Sequence, residues 1–337
     1  MAVLRPAGRI AGEEREGVME KMTSYLGWKI DFANPPGEPA LLHPGSVAWR
    51  IYKNPVAMAV GGVAAVLLEF ADPRIRSGVW DHSIYKVNPI GRSKRTGMAA
   101  MVGVYGPASA ARRVIQGITN MHAKVSGLTP SSEAYRALDS ELLDWVSATA
   151  AFGFLTAYDR FVAKLSEADK ARYYREGAAV ARLYGVTSHP SSSADFLTMM
   201  RRLEHRFEPH PIVGEFLAIV QSGKAAPGTP RFLHRALARA AVSILPPSVR
   251  QKLALRQPFD LKRRDRLALT FAGLLAERLA DPKSPPCQAS KRLGLPADFL
   301  YRPPAEQQRL LARMAPTDDE APTADAVLAE ARRGAAR

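Results

Sequence analysis

One cysteine, Cys287, stands among 337 residues. That excludes an internal disulfide and any multi-cysteine zinc or iron–sulfur site, and it suits a reducing compartment. Long apolar runs are lacking too. The most apolar stretch, PVAMAVGGVAAVLL from Pro55 to Leu68, falls short of the roughly 18 to 20 residues a spanning helix needs, so it reads as a buried helix. The N-terminal MAVLRPAGRIAGEEREG carries scattered charges and no continuous apolar h-region, so no secretory signal is expected and the protein is expected in the cytoplasm. Acidic residues are in deficit: 32 Asp and Glu face 47 Lys and Arg, a formal net charge of +15. Such a balance suits nucleic acid, an anionic membrane surface or anionic ligands. The basic residues are dispersed, however, with neither zinc-finger spacing nor an RRM-like motif. A solvated basic surface is therefore expected, with peripheral contact to anionic membranes and no specific nucleic-acid partner.

Also missing are a Gly/Ser linker, an internal repeat and any sustained period-2 alternation bounded by turn signals. Helical periodicity dominates after residue 55, and a 47% hydrophobic content allows a sizeable core. The class is therefore mainly α, a single multi-helix bundle over 49–280. An irregular lead-in over 1–48 holds the Pro/Gly-rich NPPGEPALLHPG, and a partly disordered C-terminal extension over 281–337 ends in the weakly ordered MAPTDDEAPTADAVLAEARRGAAR. Ser166 and Asp169 fit a capping box, with Gly185 as the helix stop. Further helices are expected over 131–164 with a break near Gly153, and over 192–207, 212–222, 230–244 and 261–279.

One helix is well punctuated: Gly106-Pro107 opens it and Gly127 is a natural stop. At 100° per residue Ala111, Ile115, Ile118, His122 and Val125 share one face, opposite Arg113, Asn120 and Lys124, so His122 points inward. Before the Gly-Pro, Arg92, Thr96, Ala99, Ala100 and Gly103 form a face that is small apart from its polar end. In an antiparallel hairpin about residue 107, Arg92 and His122 stand level along the two axes and face one cleft. A neutral imidazole, a smooth Ala/Gly wall and an arginine suit a porphyrin. Spacing alone leaves the ordinary alternative open: a hydrogen-bonded core histidine beside closely packed helices.

From about Trp49 to Arg250 the chain resembles the superfamily of latex clearing protein (rubber oxygenase) and the MpaB-type oxygenases. The segments that carry the likeness run in order: LLEFADPRIRSGVWDHS, NPIGRSKRT, VYGPASAARRVIQGITNMHAKVSG, EAYRALDSELLDWVSAT, YDRFVAKLSEADKARYYREG and LPPSVR. The resemblance implies a mainly helical domain enclosing b-type haem, with molecular oxygen as co-substrate. It makes His122 the proximal iron ligand, sets Arg92 and Thr96 beside the haem, and lines the cofactor with Ala99, Ala100, Gly103 and Ile118. Asp139 and Trp145 become structural residues of a covering helix.

Two departures limit the transfer. Rubber-cleaving members have an iron-capping lysine directly before the threonine; here that position is Arg95, with Lys94 one residue earlier. Arginine stays protonated and is a poor iron ligand, so an open or water-occupied sixth site is expected. The glutamate that those members place upstream of the arginine has no clean counterpart in DPRIRSGVWDHS, leaving Glu69, Asp72 and Asp81 as candidates. Glu69 is expected on a helix surface, paired with Arg74 or Arg76. His82 is expected in a helix-terminal hydrogen bond, and His43, His189, His205, His210 and His234 at the surface. The function expected is a haem b-dependent oxygenase or oxidase acting on a lipophilic small molecule by oxygenation, C=C cleavage or dehydrogenation. The alternatives are a non-catalytic haem sensor or carrier, and a haem-free basic helical protein that binds membranes or nucleic acid.

Overall fold

Short polar residues and prolines decide where the helices begin. The computed structural model describes residues 24–25, 28–82, 88–223 and 231–314; the far N-terminal lead-in and the tail after Met314 lie outside them. Two paired strands, β1 (Ser24–Tyr25) and β2 (Trp28–Lys29), come first. Ser46 then caps α1 (Val47–Tyr52), and Asn54 caps α2 (Pro55–Ala71) by accepting from the Val56 and Ala57 amides. Pro55 sits in the first turn, where its missing N–H has no helical partner to lose. Helix α3 (Pro73–His82) sets off at 110° to α2. Asn88 caps α4 (Pro89–Tyr105), and Gly106-Pro107 turns the chain into α5 (Ala108–His122).

A short antiparallel hairpin, β3 (Ser126–Leu128) with β4 (Ala134–Arg136), leads into α6 (Ser140–Phe161). Ser166 accepts from the Asp169 amide at the start of α7 (Glu167–Leu183), and Gly185 closes it at φ +85°, both as the capping pattern implies. There follow α8 (Ser193–Leu203) with a 3-10 turn, α9 (Pro211–Ser222), α10 (Arg231–Ile244), α11 (Pro247–Lys252), α12 (Arg263–Ala276) and α13 (Pro285–Arg292). The described residues are thus mainly helical, as the periodicity indicates.

Three boundaries differ from the sequence expectation. The helix expected from Ser131 starts only at Ser140, because residues 126–136 pair as strands with Gly127 opposite Tyr135. It then runs unbroken through Gly153. That glycine serves packing instead of a kink: a Cβ on it would lie 2.5 Å from the Gly61 carbonyl oxygen, and one on Gly61 would lie 2.7 Å from Phe154 Cα. Only glycines let α2 and α6 cross so closely. Finally, α5 ends at His122 and not at Gly127, so Val125 has left the helical face.

The crossed pair α2 and α6 forms the centre of the core. Trp145 donates its indole N–H to the Leu68 carbonyl at 3.3 Å and stacks on Phe196 of α8, which also stacks on Phe152 at 4.1 Å between ring centroids. Helices α10 and α12 pack on the same pair from outside. Among the described residues, those up to Tyr301 form one compact unit and those from Arg302 to Met314 belong to another. Within the second, α14 (Pro304–Ala312) is tied at its start by an Arg302–Glu306 ion pair of 2.6 Å.

The turn between α4 and α5 is locked from two sides. Tyr105 donates its hydroxyl to the Trp49 carbonyl at 2.8 Å, with the two rings edge to face. Arg292 of α13, only 2% exposed, donates to three backbone carbonyls, those of Phe32 (2.5 Å), Glu38 (2.8 Å) and Tyr105 (2.8 Å). A buried guanidinium needs such partners to offset its lost hydration.

Candidate active site

The last turn of α2, the first turns of α4, the C-terminus of α5 and the middle of α6 bring Glu69, Arg92, His122 and Thr149 into one electrostatic cluster. Glu69 keeps part of its surface accessible yet is densely surrounded by protein. Burial pushes its pKa up from the ordinary 4.5 to about 7, against the opposing pull of the Arg92 charge and of the Thr149 hydrogen bond. The Thr149 hydroxyl, fully buried, lies 2.8 Å from the Val146 carbonyl and 3.4 Å from Glu69 Oε1. Its one proton is shared between these two acceptors, and donation to Glu69 favours the ionised carboxylate.

His122 is half-buried as the last residue of α5. Burial lowers its pKa below the usual imidazole value, and the positive charge of Arg92 lowers it further. The ring is therefore held neutral, the form that presents a lone pair to a metal. Among the described residues no hydrogen bond engages its nitrogens. The Arg92 charge thus reaches His122 from the neighbouring helix of the hairpin. Arg92 also bonds the Thr96 hydroxyl one turn along α4, and that hydroxyl donates back to the Arg92 carbonyl at 3.1 Å.

Beyond Thr96 the same helix carries small residues toward the turn. Ala99, Ala100 and Ile118 are half-buried, and Gly103 is buried, yet a Cβ on Gly103 would meet nothing within 4 Å; Gly97 is likewise open. Gly103 is thus free of the close backbone contact that Gly153 makes. Arg95 is half-buried and Lys94 exposed on the same helix. Among the described residues no three His, Cys, Asp or Glu side chains gather as a metal-ion cage.

Several expected placements are corrected. Glu69 does not pair with Arg74 or Arg76: Arg74 bonds Asp72 and Glu141, each at 2.7 Å, while Arg76 bonds Glu208 at 2.5 Å and the Phe70 carbonyl at 3.1 Å. The chain reverses direction at Asp72 and carries both arginines away. Asp72 itself is consumed by Arg74, and Asp81 is exposed at the end of α3, so of the three carboxylates only Glu69 joins the cluster. His82 is exposed, its ring edge-on to Tyr135 at 6.3 Å. His234 is buried and His189 half-buried with Nδ1 3.2 Å from Ser147 Oγ, so neither is a surface residue. Sequence reasoning does not single out Thr149; the one pointer to it is a threonine closing the apolar helical stretch LLDWVSAT.

Fold and site together define a mainly helical protein in which a carboxylate, an arginine and an imidazole are drawn into one electrostatic cluster. The family model described as ER-bound oxygenase mpaB/B'/Rubber oxygenase, catalytic domain, matches residues 49–277, and the chain belongs to that family. No curated protein and no solved structure matches it. Membership makes the chain an oxygenase-type enzyme that uses oxygen on a small molecule.

Proposed function

We propose that the protein is a haem b-dependent oxygenase acting on a lipophilic small molecule, with His122 as the protein ligand to iron. The observation that carries this is the half-buried imidazole at the end of α5, which the Arg92 charge reaches and which no hydrogen bond among the described residues engages. A single imidazole is a sufficient protein ligand where a macrocycle supplies the remaining nitrogens, and the Ala99, Ala100 and Gly103 wall admits a flat ring. When bound, haem supplies the redox chemistry that activates oxygen.

The chain's own groups have separate tasks. Arg92 is a permanent cation that would pair with an acidic group of the cofactor, and Thr96 holds its guanidinium in place. Glu69, titrating near neutrality, takes a proton from substrate or returns one at Oε1, with Thr149 orienting the carboxyl. Arg95, not lysine, precedes Thr96, and an arginine that stays protonated would not serve as a further ligand to the bound group. The half-buried Ala99, Ala100 and Ile118 would favour a lipophilic substrate by excluding water.

The visible spectrum of the purified protein, read with oxygen uptake, tests this. A Soret band at roughly 400 to 420 nm is expected for His-ligated haem, lost or shifted in His122→Ala and retained in His82→Ala. A colourless protein refutes the cofactor. Stoichiometric haem with no substrate-dependent oxygen uptake across a panel of lipophilic compounds identifies a sensor or carrier instead.

A further inference from the structure

Helix α12 turns its larger apolar side chains outward. Leu267, Phe271, Leu274 and Leu275 are 71, 70, 46 and 47% exposed, and Leu279 just beyond the helix is 61% exposed. At 100° per residue the four helical positions fall within one arc of about 100°. The opposite face, with Asp265, Leu269 and Gly273, is buried. A Cβ on Gly273 would lie 2.9 Å from the Phe161 carbonyl, so the helix is seated closely on α6 and cannot roll its outer stripe inward. A stripe this exposed on an anchored helix is an interaction surface in search of an apolar partner.

The charges around the stripe say which partner. Lys262, Arg263, Arg264 and Arg266 are exposed at the N-terminal end and Arg278 at the other. The two acids of the segment are turned inward: Asp265 accepts from Arg239 at 2.9 Å, with Arg264 at a long 3.7 Å, and Glu277 is held by Lys53 at 3.1 Å and by Asn54 at 2.9 Å. The helix begins without a side-chain cap, so its free amides and dipole add to the four cations there. That arrangement is unfavourable in isolation and is relieved by anions. A second copy of this chain would bring like charges face to face. An anionic lipid surface meets both needs at once, phosphates for the cations and acyl chains for the stripe.

We propose that α12 is a docking helix for anionic lipid surfaces. Leu267, Phe271, Leu274 and Leu275 enter the acyl boundary while the flanking arginines bind headgroup phosphates. The surface is remote from the Glu69 cluster: Asn54 at the start of α2 bonds the Gly273 carbonyl, and Glu69 lies fifteen residues further, about 22 Å along the axis. Substitutions on the stripe therefore leave basal turnover unchanged.

Flotation of the full-length protein with vesicles of equal parts phosphatidylcholine and phosphatidylglycerol, against phosphatidylcholine alone, tests this at low and high salt. Wild type should float with the anionic vesicles at low salt and not with the neutral ones. Leu267→Ser/Phe271→Ser should lower the partition coefficient about tenfold or more. Arg263→Ser/Arg264→Ser should lower it about fivefold per cation and flatten the salt dependence. Both pairs replace exposed side chains, and unchanged unfolding midpoints will show that the variants fold. The proposal is overturned if wild type stays unbound at low salt, or if both variants float like wild type. It is also overturned if light scattering finds a wild-type dimer that the apolar variant splits, which would seat a second copy on the face.

Discussion

Replacing Glu69 by Gln isolates the cost of ionising a carboxylate inside the fold. The unfolded carboxyl releases its proton near pH 4.5, whereas the folded one holds it to about pH 7. Across that window the folded state binds the extra proton, so stability falls as pH rises and levels off above about pH 7. At about 1.4 kcal/mol per pH unit the full gap is worth roughly 3 kcal/mol, and partial solvent access to the carboxylate trims this to about 2–3 kcal/mol. The substituted amide is isosteric with the carboxyl, still bonds Thr149 and never ionises. Urea denaturation at pH 5 should therefore find the two proteins within about 1 kcal/mol, and at pH 8 Glu69→Gln should be about 2–3 kcal/mol the more stable. Turnover should move oppositely, with kcat lower by a factor on the order of 10² to 10⁴, because an amide cannot carry the proton. Stability curves that run parallel from pH 5 to pH 8 would refute the buried-carboxylate reasoning.

Arg92→Gln removes the cation that favours ionised Glu69 and disfavours charged His122, so both pKa values should rise and the ascending limb of the kcat/KM profile should move to higher pH; an unmoved limb would detach Arg92 from the cluster. Gly153→Ala forces a methyl against the Gly61 backbone and should cost about 2–3 kcal/mol by urea denaturation. Gly103→Leu meets no neighbour at its Cβ and should unfold within about 1 kcal/mol of wild type, while its Soret absorbance per protein should drop because a bulky side chain would stand on the small-residue face proposed to meet the flat ring.

Much of the site is legible in the sequence because it is local. Arg92 and His122 are fixed by helical register on two sides of a Gly-Pro turn, and punctuation by Asn54, Asn88 and Ser166 marks helix starts directly. Glu69 is misassigned by sequence because proximity along the chain stands in for proximity in space: Arg74 and Arg76 follow closely, but the 110° bend after α2 carries them to Asp72, Glu141 and Glu208. Thr149 reaches Glu69 across 80 residues, and no local pattern encodes that. The β3–β4 hairpin escapes detection since three-residue strands carry almost no periodicity, and Gly153 reads as a break because its reason lies on another helix.

The Arg292 clasp has a temporal side. Its acceptors Phe32 and Tyr105 precede it by 260 and 187 residues, so the lock on the α4–α5 turn is among the most distant closures in the chain. Contacts of such separation form late, after the loops they close have been ordered. During synthesis from the N-terminus the hairpin bearing Arg92 and His122 emerges long before the residue that fixes its pivot. A ribosome-bound chain stopped short of Arg292 therefore carries the whole candidate site in sequence without the strut that holds its two arms in register.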